Sequence, residues 1–178
     1  RNSLDKDIKK VVQKISIVAR GMAGGYTRYL PDEDRNLWTK SQFQDSLAAA
    51  LGGRVAEEIT FKEITTGASN DLQQATRIAR QMVTQYGMSE RLGPRTFGKR
   101  EELIFLGREI TEQRDYSDRI AQEIDDEVHE IIEQAYNKAK NLLATHQAKL
   151  NEVARYLIEH ETLEGEVLQQ VFNSPVPK

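Results

Sequence analysis

A chain of 178 residues with a net charge of -3 has the length for one domain, or for a core with a helical extension, and its charge gives no electrostatic basis for binding nucleic acid. It contains no cysteine, which excludes disulfides, thiolate zinc sites and a cysteine nucleophile and suits a reducing compartment. No apolar run approaches the roughly 18 residues of a membrane span, and Arg1-Asn2-Ser3-Leu4 does not open a signal peptide, so these residues read as a soluble piece.

Lys14-Ile15-Ser16-Ile17-Val18 alternates and is rich in β-branched residues, which predicts a short strand. Gly21, Gly24 and Gly25 lead to a second extended run, Tyr26–Leu30, and Pro31-Asp32-Glu33-Asp34 ends it. A helix is expected from Thr39, where Gln42 three residues on completes a capping box, with the apolar stripe Phe43, Leu47, Leu51, Val55 and Ile59. Gly52-Gly53 inside it costs about 1 kcal/mol per glycine against alanine, so the pair points to a break or to close approach of another backbone. A second helix is expected from Ser69 or Asn70 to Tyr86, ended by Gly87, with Leu72, Ala75, Ile78, Ala79, Met82 and Val83 on its apolar face. Residues 88–112 read as loop with a short extended stretch at Leu103–Leu106. A long helix begins near Tyr116 and runs through Leu142-Leu143, followed by a break near His146 and a shorter helix carrying Leu150, Val153 and Leu157. Thr162 is placed to cap a last helix containing Val167, Leu168 and Val171. The class is mainly α with a small β element near the N-terminus and a C-terminal helical bundle. The expected division is a core over residues 1–112 and a helical region of the same domain over 113–178.

Two carboxylates stand out. Asp71 lies in the first turn of its helix, on one line with Ala75, Ile78 and Met82. It serves either the helix dipole, worth about 0.3–1 kcal/mol, or an inward site. Glu58 lies in the apolar stripe of the preceding helix with Arg54 four residues before it. Either the two form a buried pair, or Glu58 and Asp71 aim at a common site of the kind a metal requires. His129, His146 and His160 have no ligand spacing and are expected to be solvent-exposed or packing histidines. His129-Glu130 is followed by Ile131-Ile132-Glu133, so the 178 residues hold no His-Glu-x-x-His, and they hold neither a Gly-x-x-x-x-Gly-Lys-Ser/Thr loop for ATP nor a Gly-x-Ser-x-Gly elbow.

Several strings take the reading further. Lys14–Gly21, Gly25-Tyr26-Thr27, Leu30–Asp34, Leu51–Glu58, Thr65–Leu72, Met82-Val83-Thr84, Tyr86–Glu90, Leu92-Gly93-Pro94, Phe105–Ile110, Tyr116-Ser117 and Glu161-Thr162-Leu163 resemble, in order, the peptidase domain of the FtsH family of ATP-dependent zinc metalloproteases. The likeness covers residues 12–171, and Thr65–Leu72 is its most specific stretch.

The resemblance implies a helical zinc-metallopeptidase domain. One zinc per subunit is held by two histidines of a His-Glu-x-x-His helix and by an aspartate, here Asp71. The motif's glutamate activates water for attack on a peptide carbonyl. Glu58 is then a candidate acceptor for a ligand histidine's second N–H, and Ile15–Val18 a strand edge for an extended substrate. The parent protein is implied to be a membrane-anchored homohexamer acting on unfolded or membrane proteins, with an ATPase module that uses ATP and the peptidase domain on the cytoplasmic, stromal or matrix side. Because Arg1–Gln13 contains no histidine, the 178 residues by themselves hold no complete catalytic set and are expected to be inactive. A catalytically silent piece acting in hexamer assembly is the alternative reading, and a helical interaction module unrelated to proteolysis is a third.

Overall fold

The computed structural model describes residues 12–18, 24–29, 37–98 and 115–175. These form the strands β1 (Val12–Ser16), β2 (Tyr26–Tyr29) and β3 (Thr162–Glu164) and the helices α1 (Lys40–Phe61), α2 (Ser69–Thr84), α3 (Asp118–Thr145), α4 (Gln147–His160) and α5 (Gly165–Asn173), with a 3-10 turn at Thr66–Ala68 before α2. The mainly α class with a small sheet is as expected. The extended stretch at Leu103–Leu106 and the division at residues 112 and 113 lie outside the described residues. The chain packs as two compact units, one drawn from Arg1–Asn36 with Thr145–Lys178 and one from Leu37–Ala144.

In the second unit α1 starts where its capping box demands. Thr39 is extended, its hydroxyl accepts from the Gln42 N–H at 3.3 Å, and the Gln42 side chain accepts from the Thr39 N–H at 2.8 Å. The helix continues unbroken through Gly52-Gly53 to Phe61. Leu47, Leu51 and Met82 are fully buried together with Ala75 and Ala135, so α1, α2 and α3 share one core. Burial of each large side chain stabilises by about 1.5–3 kcal/mol. Ala79 and Val83 turn the other side of α2 towards Ile124, Val128 and Phe97, while Ala48 and Val55 meet Ala139. After α2 the chain reverses at Gly87, whose φ is +59°, and the Phe97 N–H returns to the Thr84 carbonyl at 2.8 Å. Buried Ser89 donates to Glu127 and accepts from the Leu92 N–H at 3.0 Å, which ties this loop to α3.

In the first unit the sheet order is β2-β1-β3, antiparallel throughout. β1 is therefore central, against the expectation that Ile15–Val18 offers an edge. Lys14, Ile15 and Ser16 pair with β2 on one side and with β3 on the other, the Ile17 N–H donates to the Glu161 carbonyl at 3.0 Å, and the Val18 N–H to Ser16 Oγ at 3.2 Å. Thr162 does not cap α5. It lies in β3, and Glu164 takes the cap position without a side-chain bond. The reason is burial. Leu163 is fully buried against Leu157, Leu168, Val12 and Ile15, and recruiting Thr162–Glu164 as a third strand is what seats it there. The other end of α5 is held by Lys149, whose ammonium donates to the Val171 and Ser174 carbonyls at 2.7 and 2.8 Å.

Candidate functional site

The segment carrying the most specific motif joins α1 to α2. α1 stops because Lys62 adopts the left-handed conformation (φ +55°), with its N–H still donating to the Glu58 carbonyl at 3.0 Å. The chain then turns back, and Thr65 begins the 3-10 turn, its hydroxyl accepting from the Gly67 N–H at 3.1 Å. Glu57 grips the same residue. Its Oε1 accepts from the Thr65 hydroxyl at 2.9 Å and its Oε2 from the Thr65 N–H at 3.3 Å. Buried Ala68 follows, and α2 begins at Ser69.

Asp71 lies in the first turn of α2, where free N–H groups and the helix dipole favour a carboxylate. Ala75 and Met82 on its line are buried and Ile78 partly so, but Asp71 itself is exposed. At this end of the helix it is the next residue, Leu72, that packs against the shared core, and Asp71 stays outside it. It lies near Gly53 of α1, where an added Cβ would lie 4.0 Å from Asp71 Oδ2. The glycine pair thus admits a carboxylate rather than a backbone, and only Gly53 does so, since nothing lies within 4 Å of a Cβ at Gly52.

Glu58 is elsewhere engaged. It is 33% exposed, and its Oε1 meets Lys140 Nζ of α3 at 3.3 Å, so the ion pair found for it runs between helices and not to Arg54. On α1, Gly53 lies beside Asp71, and Glu57, four residues on, bonds Thr65. Sequence reading missed Glu57, and the signal that could have found it is the glycine pair, which marks the face of α1 that another element approaches. The three histidines are all exposed, the first of the two expected alternatives.

The exposed carboxylate of Asp71 fits one oxygen ligand of a zinc ion. Among the described residues no three His, Cys, Asp or Glu side chains converge to hold a metal. Among them, too, no helix is long and apolar enough to cross a membrane.

Comparison with known proteins matches residues 4–171 to the model described as peptidase family M41. The "ATP-dependent zinc metalloprotease FtsH 1" of Thermomicrobium roseum is 58% identical over 167 residues, which are 94% of this chain and 26% of that protein. The "ATP-dependent zinc metalloprotease FtsH" of Chloroflexus aggregans is 59% identical over 169 residues, again 26% of its length. "ATP-dependent zinc metalloprotease FtsH 3" of Synechocystis is 52% identical over 163 residues. The chain thus spans about a quarter of the length of the curated relatives it matches.

Proposed function

Since this chain belongs to peptidase family M41, we propose that it is the proteolytic domain of a membrane-anchored, ATP-dependent zinc metalloendopeptidase that cleaves unfolded or membrane proteins as a homohexamer. The observation that carries this is the Thr65–Leu72 segment. It presents Asp71 at an exposed helix start beside a residue with no side chain, within a match to proteins named as zinc metalloproteases. Asp71 is the ligand this chain supplies to the metal. Zinc, when bound, activates water and polarises the scissile carbonyl. Asp71 presents an exposed carboxylate, and Gly53, without a side chain, leaves room beside it. Glu58 is the candidate acceptor for a ligand histidine, in competition with its bond to Lys140. ATP is used by a separate module of the parent protein, which faces the cytoplasm, stroma or matrix with its peptidase domain.

The 178 residues alone contain no His-Glu-x-x-His, and they are expected not to hydrolyse casein. The assembly-only reading draws on the same fact, and among the described residues no three His, Cys, Asp or Glu side chains converge. Casein hydrolysis by the full-length protein, abolished by a zinc chelator and restored by zinc, separates the two. Full-length protein that binds no zinc and cleaves nothing favours assembly, and cleavage that chelation leaves intact would overturn the metalloprotease reading.

A further inference from the structure

We infer that Glu57 is a positioning residue for Asp71, acting through Thr65 and the 3-10 turn without touching the metal. The inference rests on the reading of Asp71 as a ligand.

Both carboxylate oxygens of Glu57 are committed to one residue, the hydroxyl and the N–H of Thr65, at 2.9 and 3.3 Å. Thr65 passes the hold onward, since its Oγ1 accepts from the Gly67 N–H at 3.1 Å. The junction is closely fitted. A Cβ on Gly67 would lie 3.2 Å from Thr65 Oγ1 and 3.5 Å from Glu57 Oε1, so any side chain there pushes on the clamp. The turn continues directly into α2, with the Ser69 N–H donating to the Thr66 carbonyl, and Asp71 follows in the first helical turn.

What makes Glu57 necessary is the missing cap of α2. The cap position is Ala68, which makes no side-chain bond to the free N–H groups of the first turn. The start of the helix, and with it the direction of Asp71, is therefore fixed from outside. Gly53 and Glu57 stand one turn apart on α1, one facing Asp71 and the other gripping the turn that precedes it. One helix thus grips the turn before α2 through Glu57 and leaves room beside Asp71 at Gly53. The role does not need a charge. A glutamine at 57 can accept the Thr65 N–H with its carbonyl and donate its amide to Thr65 Oγ1, whereas a ligand or a general base would need the carboxylate.

The test uses the full-length zinc protein and measures zinc release to a competing chelator, the visible spectrum after Co²⁺ substitution, and kcat and KM for a peptide. Glu57→Ala is expected to weaken zinc retention by about 10–100-fold and to change the cobalt spectrum. Glu57→Gln stays within about threefold of the unchanged protein in both. Thr65→Val reproduces Glu57→Ala, and the double variant is no worse than either single one, as for two residues acting as one unit. Should Glu57→Ala misfold, Glu57→Gln and Thr65→Val still decide. Glu57→Gln as damaging as alanine at folded state, Thr65→Val without effect, or additive losses in the double variant would overturn the inference. Asp71→Ala separates the two levels. If it keeps zinc, the ligand reading fails; if it loses zinc while folded Glu57→Ala does not, only the positioning role fails.

Discussion

Gly53 of α1 presents bare backbone to the Asp71 carboxylate of α2, and a Cβ at Gly53 would stand 4.0 Å from Asp71 Oδ2. That distance is ordinary van der Waals contact, so one methyl fits and a longer side chain meets the carboxylate. Gly52, one residue away, faces open space. Gly52→Ala and Gly53→Ala are therefore both expected to stabilise the fold, each by up to about 1 kcal/mol, by removing a helical glycine. Gly53→Leu keeps that helical gain but lowers zinc affinity of the full-length protein, on the order of tenfold. Thermal melts with zinc titrations check this. Equal zinc affinity in Gly53→Leu and Gly52→Leu would refute it.

Gly87 is a different kind of glycine. Its φ is +59°, and a Cβ there would meet Pro94 Cα at 3.1 Å and the Arg95 nitrogen at 3.2 Å. The left-handed conformation alone costs another residue about 1–2 kcal/mol, and the contact with backbone adds to it. Gly87→Ala should lose at least that much in urea unfolding, while Gly93→Ala, with positive φ but open space, should lose less.

Ser89 is buried, donates to Glu127 and accepts from the Leu92 N–H. Ser89→Ala removes one partner from each and should cost about 1–3 kcal/mol. Glu127→Gln, which keeps an acceptor, should cost less. Equal losses would mean that the charge of Glu127, rather than its acceptor, holds the loop.

Lys14 Nζ lies 2.9 Å from Glu164 Oε2, and the hydrogen bond it donates to that carboxylate, with the carboxylate's charge, holds the lysine above its ordinary value of 10.5 despite some opposing desolvation. A raised folded-state value means the pair helps β1 and β3 fully below pH 10.5, and its help is lost as pH rises through the folded value. Lys14 is partly and Glu164 largely open to solvent, so the effect of the pair is small. An NMR titration of the Lys14 side chain should show a midpoint above 10.5 that Glu164→Gln lowers. A midpoint indifferent to Glu164→Gln would contradict the assignment.

Much of this fold is written locally. Thr39 and Gln42 announce the start of α1, Gly87 the reversal beyond α2, and the spacing from Ile120 to Leu143 the long α3. What local pattern does not carry is pairing across the chain. Thr162-Leu163-Glu164 is too short to show a strand period, and only the burial of Leu163 against β1 makes it one. The same pairing turns β1 from an edge into a centre. At the proposed site, the place of Asp71 in the first turn of its helix is legible from the sequence. The wheel favoured Glu58 because it lies in the apolar stripe, whereas the fold gives Glu58 to Lys140 and sets its neighbour Glu57 against Thr65. Which of two adjacent glutamates faces the loop depends on where α3 and the loop pack, and neither is local.

The most direct measurement is zinc content per subunit in the full-length protein and in its Asp71→Ala variant, with casein hydrolysis on the same samples. The expected result is about one zinc per subunit with activity in the unchanged protein, and loss of both in folded Asp71→Ala. A variant that retains one zinc per subunit and still cleaves casein would contradict the assignment of Asp71 as the ligand this chain supplies.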